Sequence, residues 1–205
     1  MQAKLRRVAL AVTGASGSVY GVRVLQELLR APGLEVHLTI SAAAAQVLRL
    51  EQGLKVDLAR FDPRALGLRA SGRLVYHHHE DLAAPLASGS FRLDAMAIVP
   101  CSMGCAGKIA HGIAGDLIER AADVMLKERR PLIIVPRETP LSSVHLENLA
   151  TLARAGVIVL PASPGFYGRP RRVEDLVDFV VARVLDHLGV EHGLGPRWGE
   201  DKEKG

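Results

Sequence analysis

Five short runs of aliphatic residues recur along the chain, and each is followed by turn residues and then by a helical pattern. The runs occupy residues 8–12, 36–40, 96–99, 132–135 and 157–160. Continuous apolar runs of this length are typical of strands that are buried on both faces. Because the strands alternate with helices, the pattern predicts a mostly parallel sheet covered by helices on both sides. For 205 residues, the simplest fold is a single doubly wound, Rossmann-like α/β domain.

Helical periodicity is clearest near the C-terminus, where apolar residues recur at i, i+3 and i+4. These residues are Val173, Leu176, Val177, Val180, Val181, Val184, Leu185 and Leu188. Two further helices are predicted over residues 116–130 and 141–155. The apolar face of the second comprises Leu141, Val144, Leu149 and Leu152.

The pattern weakens between residues 52 and 93, where Pro and Gly interrupt it repeatedly. We expect irregular connections there, with one short strand at residues 74–78. The domain is predicted to span residues 1–189, and residues 190–205 are predicted to form a polar C-terminal tail.

Composition excludes several classes of function. The 26 Lys and Arg against 22 Asp and Glu leave a net charge of +4, which is too small to indicate nucleic-acid binding. Aromatic residues make up only 4% of the chain, so a stacking platform for single-stranded nucleic acid is not expected. No apolar run is long enough to predict a membrane span, and the run at residues 8–12 is too short for a signal peptide.

Two cysteines, Cys101 and Cys105, are the only ones in the chain. They cannot build a disulfide framework or a Cys-rich zinc site, so a reducing cytoplasm is the expected compartment. Buried free Cys commonly behaves as a small apolar side chain, and we favour that role over a nucleophile for both.

The stretch TGASGSVYG at residues 13–21 directly follows the first strand and precedes a helix. Glycines there permit a tight turn, and helix N-terminal N–H groups offer donors to a phosphate. This position indicates a nucleotide or flavin phosphate site; the alternative is a loop of ordinary turn residues. The Gly spacing differs from a dinucleotide fingerprint, and Ser41 stands where NAD-binding folds place an acidic residue.

Polar residues also follow the third and fourth runs. The segment at residues 100–105 is small and polar, while Arg137 and Glu138 come directly after residues 132–135. Parallel strands end at one edge of a sheet, where such folds bind ligands. A cation and a carboxylate at that edge indicate phosphate binding and proton transfer. Glu128 and Arg129 are instead expected on a solvated helix face.

Arg183 lies on the last helix, seven residues past Leu176, and is predicted to share its inward stripe. A buried Arg needs a counter-charge, which a bound phosphate would supply. The alternative is an ion pair with Asp175 or Asp186. The histidines at residues 77–79 alternate between faces of an extended segment, so we favour a surface cluster over a metal site.

Taken together, these motifs resemble the UbiX-type flavin prenyltransferases, a family within the wider flavoprotein group that was long described as aromatic-acid decarboxylase subunits. The most specific match is LIERAADVMLKERRPLIIVPRETPLSSVHLENL at residues 117–149. The glycine loop, ASGS at 87–90, PCS at 100–102, LPASPGFYGRP at 160–170 and VEDLVDFVVARVLDHLG at 173–189 also match. The resemblance covers nearly the whole chain apart from about residues 52–86.

The resemblance implies a flavodoxin-like fold and a metal-independent transferase. Such an enzyme joins the dimethylallyl group of dimethylallyl phosphate to N5 and C6 of reduced FMN. Prenylated FMN and phosphate are the products, and the former is passed to a UbiD-type decarboxylase. The family's members are dodecamers whose sites are completed by neighbouring subunits. The resemblance therefore implies that Lys127 or Tyr167 serves a neighbour's flavin.

The resemblance also implies roles for individual residues. The FMN positions are Gly14, Ala15, Ser16, Ser41, Ser102, Met103, Gly104, Cys105 and Arg137. The positions for dimethylallyl phosphate are Tyr167 and Arg183, with Lys127 and Arg137 as phosphate contacts and Arg120 and Trp198 near the pocket. The catalytic positions are Glu138, which protonates the leaving phosphate, Glu51 and Ser16, which handle the proton from flavin C6, and Lys127.

Three positions depart from the family pattern, at Ala42, Cys105 and Leu82, where relatives carry Lys, Thr and Trp. The first two bear on polar contacts to FMN and the third on the aromatic wall around the prenyl group. Two alternatives remain open. One is an FMN-dependent cysteine-type decarboxylase of the same superfamily, which needs a catalytic His. The other is a non-catalytic FMN carrier.

Overall fold

A computed structural model of the protein describes residues 5–69 and 71–195. Its six strands form one sheet in the order β3-β2-β1-β4-β5-β6, and every neighbouring pair is parallel. The strands are β1 Arg6–Val12, β2 Leu34–Ile40, β3 Leu74–His78, β4 Ala95–Cys101, β5 Leu132–Pro136 and β6 Ile158–Val159. The prediction of a doubly wound α/β domain, including the short strand at residues 74–78, is confirmed.

Six helices cover the two faces of the sheet, which explains the continuously apolar strands. They are α1 Ser18–Arg30, α2 Ala42–Gln52, α3 Met103–Ala110, α4 Leu117–Lys127, α5 Ser143–Arg154 and α6 Val173–Leu188. Along β1, Val8, Leu10 and Val12 pack with α1 and α6, while Ala9 and Ala11 pack with α3 and α4. No helix in the described part of the chain is both long and apolar enough to cross a bilayer.

The chain reverses its winding direction between β1 and β4, which are neighbours in the sheet. Strands β2 and β3 extend the sheet on one side and β5 and β6 on the other. Loops that leave β1 and β4 therefore diverge and open a crevice at the carboxyl edge. Ligands bind at this point in open α/β folds, and the glycine loop and Ser102 both lie there.

The structure differs from the predicted organisation at the C-terminal boundary of the domain, and it shows how far the apolar face of α5 is covered. The packed domain continues past residue 189, because Val190 is buried in the core and the His192 side chain is only 2% exposed. The apolar face predicted for α5 is only partly buried. Leu152 is in the core, but Leu141 and Val144 are exposed on this chain. The remaining predicted tail, residues 196–205, lies outside the described residues.

Candidate active site

The loop between β1 and α1 depends on glycines at two close approaches. A Cβ on Gly14 would lie 2.4 Å from the Cβ of Ala43, and one on Gly21 would lie 2.4 Å from the carbonyl oxygen of Val99. Gly17 has a φ of 98°, in the left-handed region that favours glycine. The loop therefore packs closely against the start of α2, and α1 packs closely against β4.

Glu51, on α2, places its carboxylate at the N-terminus of α1. It accepts hydrogen bonds from the backbone N–H groups of Gly17 and Ser18 and from the Ser18 hydroxyl, at 2.7–3.1 Å. Burial alone would raise the pKa of Glu51, but hydrogen bonds from Ser16, Ser18 and these N–H groups outweigh it, so the pKa is lowered. The donors of α1 that the sequence suggested for a phosphate are therefore already paired with a carboxylate.

Free backbone donors lie instead at the first turns of α2 and α3. Ser41 caps α2 through the N–H of Ala44, and Ser102 caps α3 through the N–H of Cys105. The N–H groups of the intervening residues have no partner among the described hydrogen bonds. They are those of Ala42, Ala43, Met103 and Gly104. Strands β2 and β4 flank β1 and so lie about 10 Å apart. The two donor sets therefore stand on either side of the glycine loop.

Thr13 fixes the crevice and was not singled out from the sequence. Its buried hydroxyl donates to the Pro100 carbonyl at 2.9 Å and accepts from the Ser102 N–H at 2.7 Å. These bonds tie the end of β1 to the segment that leads into α3. The available signal was position, since Thr13 is the first polar residue after an apolar strand.

Arg137 and Glu138 lie next to the same loop, as predicted. Arg137 donates from Nε to the Ser16 carbonyl at 3.0 Å, and Glu138 accepts from the Thr139 N–H at 3.0 Å. Both line a cavity of about 340 Å³ together with Ser163. The structure thus brings Ser16, Glu51, Arg137 and Glu138 to one edge.

A larger cavity of about 680 Å³ lies beside α6 and is lined by Tyr167, Phe179 and Arg183. The Tyr167 and Phe179 rings meet edge to face, 5.6 Å apart. A Cβ on Gly165 would lie 2.8 Å from the Tyr167 ring, so glycine there allows this aromatic packing. The cavity shares Pro161 and Ser163 with the smaller one, so the two adjoin.

The inward orientation predicted for Arg183 is wrong. Its side chain is 51% exposed and pairs with Asp186 at 2.8 Å, which is the alternative considered above. Position 183 lies at the margin of the helix stripe, and a long cationic side chain there extends to solvent.

Among the described residues, those that line the larger cavity carry more negative than positive charge. Its lining residues include the carboxylates of Asp175, Asp178 and Asp186 against the guanidinium of Arg183. Arg23 pairs with Asp178, and Arg172 with Asp175. The lining of this cavity alone therefore offers little net attraction to a dianionic phosphate.

Lys127 lies away from Arg137 within one chain. It ends α4 just before β5 begins, at the amino edge, whereas Arg137 follows the end of β5. Its Nζ pairs with Glu128 at 2.8 Å and lies beside Gly89. Arg120, also on α4, donates to the Ala87 carbonyl. Helix α4 thus contacts the ASGS segment at residues 87–90, one of the stretches that carry the family resemblance.

The structure agrees with some of the remaining sequence predictions and differs from others. Cys101 and Cys105 are free, buried thiols, as expected; hydrogen bonding with Cys101 and burial raise the pKa of Cys105. Ala42 and Leu82 are exposed. His77 is buried, so the predicted surface cluster is wrong for that residue, and no metal-binding group occurs within residues 5–69 and 71–195. Trp198 lies outside the described residues.

Known proteins resemble this chain over nearly its full length. A family model described as Flavoprotein matches residues 1–185. A "Flavin prenyltransferase UbiX" from Halalkalibacterium halodurans is 49% identical over 94% of this chain and 93% of its own.

Two solved structures share the fold. AnUbiX (PadA1), in complex with FMN and dimethylallyl pyrophosphate, has a TM-score of 0.86 and 40% identity, covering 97% of this chain and all of its own. A dodecameric FMN-dependent Ubix-like decarboxylase from Escherichia coli O157:H7 has a TM-score of 0.84 and 42% identity, covering 94% and 98%.

Proposed function

This chain belongs to the flavoprotein family and, within it, to the UbiX-type flavin prenyltransferases, and we propose that it transfers a dimethylallyl group from dimethylallyl phosphate to reduced FMN. One observation carries the proposal beyond family membership. Free N–H donors, Arg137 and Glu138 converge at the carboxyl edge, and this edge adjoins the cavity of Tyr167 and Arg183. A flavin and a prenyl phosphate could therefore meet at one place.

The donor set fits FMN. The first turns of α2 and α3 present unpaired N–H groups of the kind that bind phosphate or carbonyl oxygens. Ser41, Ser102 and Arg137 add hydroxyl and guanidinium donors at the same edge. When bound and reduced, FMN supplies the nucleophilic atoms N5 and C6.

Arg137 and Glu138 have different roles at the departing phosphate. Arg137 is anchored by the Ser16 carbonyl, and its remaining N–H groups can neutralise charge that develops on the leaving oxygen. Glu138, in its acid form, donates a proton to that oxygen. Within the described part of the chain, its exposed carboxylate accepts a hydrogen bond from the adjacent Thr139 N–H alone, which leaves it able to reach a ligand.

Ser16 and Glu51 handle the proton that flavin C6 loses. The hydrogen bonds that lower the pKa of Glu51 keep it ionised at neutral pH, so it can accept a proton without first losing one. The Ser16 hydroxyl, which bonds to this carboxylate, is placed to pass the proton on.

Further cations come from a neighbouring subunit of a dodecamer. The described lining of the cavity of Tyr167 and Arg183 has more carboxylates than cations, and Lys127 lies at the opposite end of β5 in its own chain. Lys127 of one subunit would therefore complete the phosphate site of another, with Arg120 beside it. Trp198 is assigned to the same pocket on its motif alone.

The product, prenylated FMN, is passed to a UbiD-type decarboxylase. We place the enzyme in the cytoplasm because its two cysteines are free thiols, which a reducing compartment maintains.

Mass spectrometry of the flavin product tests the function. Purified protein, FMN, dithionite and dimethylallyl phosphate should yield, under anaerobic conditions, a flavin heavier by one prenyl unit. The control omits the reductant. A non-catalytic carrier would return unmodified FMN, and that result would overturn the transferase assignment. The cysteine-type decarboxylase is disfavoured because no His follows the first βα turn in a position to serve, and His37 is buried within β2.

A further inference from the structure

Arg183 is held by a chain of hydrogen bonds that the sequence did not indicate. Its Nη1 donates to Asp186 Oδ2 at 2.8 Å, and the other oxygen of Asp186 lies 3.1 Å from His192 Nε2. Each carboxylate oxygen thus has its own partner. All three side chains line the cavity that contains Tyr167.

The hydrogen bonds around His192 determine its tautomer. The backbone N–H of Leu194 points at Nδ1, 3.2 Å away, and an amide nitrogen can only donate. Nδ1 therefore accepts and carries no proton, so the proton of the neutral ring is on Nε2. His192 accordingly donates from Nε2 to Asp186 Oδ1, and Arg183 donates to Asp186 Oδ2.

The side chains that hold Arg183 are more buried than Arg183 itself. The His192 side chain is 2% exposed and that of Asp186 24% exposed, against 51% for Arg183. Helix α6 ends at Gly189 in the left-handed conformation, and both Nη atoms of Arg6 donate to its last carbonyls at 2.8 Å. Burial of Val190 holds the returning segment down. Burial thus decreases from His192 through Asp186 to the Arg183 guanidinium.

We propose that His192 and Asp186 are positioning residues that hold the Arg183 guanidinium ready for the phosphate of the prenyl donor. This inference rests on the proposed function of Arg183 as a phosphate contact. An arginine on an exposed helix face loses considerable rotamer entropy when it is immobilised. An anchor that immobilises it beforehand removes that loss from the binding step. Asp186 occupies one edge of the fork, and the other N–H groups remain for a phosphate.

Steady-state kinetics of His192→Leu test the proposal, because leucine fills the buried space but cannot donate. With dimethylallyl phosphate as the varied substrate, KM should rise about fivefold, the loss expected for one hydrogen bond, while kcat changes less than twofold. His192→Gln retains an N–H donor and should stay within twofold of the wild type. The matched control is His187→Leu, at an exposed site outside the cavity, which should change neither constant.

A double-mutant cycle separates positioning from a general structural role. In an Arg183→Met background, His192→Leu should change kcat/KM by less than twofold, since the cation that it positions is gone. Equal losses in both backgrounds, or weakened FMN binding, would overturn the inference. If His192→Leu does not fold, Asp186→Asn replaces it: this variant keeps an acceptor for His192, loses the charge paired with Arg183, and should lower kcat/KM only when Arg183 is present.

The outcomes of these experiments distinguish a failure of the inference from a failure of the proposed function on which it rests. Absence of prenylated FMN with the wild-type protein would overturn the proposed function and this inference together. Normal wild-type turnover with an unchanged KM for His192→Leu would overturn only the positioning role of His192 and Asp186.

Discussion

A single carboxylate, Glu51, supplies the N-terminal cap that helix α1 lacks in its own sequence. Gly17 has no side chain to cap with, and the first turn of α1 contains no acidic residue. Glu51 reaches the Gly17 and Ser18 N–H groups from α2 instead. Because α1 already has its anion, the favourable ends left for a ligand are those of α2 and α3.

Glu138 is the residue whose role is most directly testable. Glu138→Gln keeps the shape of the side chain but cannot donate an acidic proton to the leaving phosphate. We expect kcat to fall about a hundredfold or more, as for the loss of a general acid, with FMN affinity unchanged. Glu147→Gln, at an exposed position of α5, is the matched control. An unchanged kcat for Glu138→Gln, measured by flavin mass and phosphate release, would remove it from the acid role.

A buried histidine pair lies on the other side of the sheet from α1. His37 and His77 are 4% and 9% exposed, and His37 Nδ1 lies 2.9 Å from His77 Nε2. His37 Nε2 bonds to Glu35, which also accepts from Arg7. When both rings are neutral, His77 donates to His37 and His37 to Glu35. Burial lowers the pKa of both histidines, and Glu35 only partly opposes this for His37.

This pair makes stability depend on pH in a defined direction. In the unfolded chain these rings have a pKa of about 6.5, whereas in the folded chain their pKa values are lower. The free energy of unfolding is therefore highest above pH 6.5 and falls as the pH decreases below it. The wild-type free energy of unfolding should therefore decline between pH 6.5 and 5. In His77→Phe the decline should be shallower, because one titrating ring is gone. Urea titrations at several pH values measure this, with His187→Phe as the exposed control; equal slopes in wild type and His77→Phe would contradict it.

At the scale of elements, replacing a helical glycine by alanine should have opposite effects on stability at two positions. A Cβ on Gly21 of α1 would lie 2.4 Å from the Val99 carbonyl, while a Cβ on Gly104 of α3 would meet nothing within 4 Å. Gly21→Ala should lower the free energy of unfolding by about 1–3 kcal/mol, because backbone must move. Gly104→Ala should raise it by about 0.5–1 kcal/mol through helix propensity. Urea midpoints measure both, and equal values would show that α1 does not pack as described.

The strands were predictable because burial on both faces leaves a continuous apolar run, as in β1 and β5. Helix α5 was less so, since Val144 has the spacing of a core residue but is exposed on this chain. Periodicity shows that a face is apolar and cannot show what covers it. The prediction for Arg183 was wrong for a related reason. A side chain at the margin of the apolar stripe can point inward or outward, and the ion pair with Asp186, three residues later, orients Arg183 outward.

The site was predictable to the level of the sheet edge. Ser16, Ser41, Ser102, Arg137 and Glu138 all follow strands, so parallel topology alone brings them together. Contacts between distant segments were not predictable from spacing. Glu51 on α2 was assigned to the site only through the resemblance, and the link from Thr13 to Ser102 spans 89 positions. His192 lay in a segment that polar composition had suggested was a tail.

At the scale of the whole molecule, we propose that a complete site needs residues from more than one chain. Lys127 and Arg137 lie at opposite ends of strand β5, which is about 15 Å long. Several apolar side chains also remain exposed on the isolated chain, among them Leu50, Val144, Leu146 and Val173. Both facts are explained if subunits pack so that α4 of one meets the carboxyl edge of another.

Mixed oligomers test this arrangement. Lys127→Ala and Arg137→Ala should each be nearly inactive alone. Co-expressed in equal amounts, they should form assemblies in which a site with an intact Lys127 from one subunit and an intact Arg137 from another occurs at random. About a quarter of the sites would then be complete, and prenyl transfer should recover to about that fraction of the wild-type rate.

The matched control mixes Arg137→Ala with Glu138→Gln, which lie side by side in one loop of one chain. No assembly of these two variants contains a loop with both residues intact, so the mixture should stay as inactive as its components. Recovery in the first mixture and none in the control would locate Lys127 and Arg137 of one site on different subunits. If neither mixture recovers activity although mass spectrometry of the intact assemblies shows mixing, Lys127 does not serve a neighbour's site, and the phosphate must be neutralised by Arg137 and Arg183 alone.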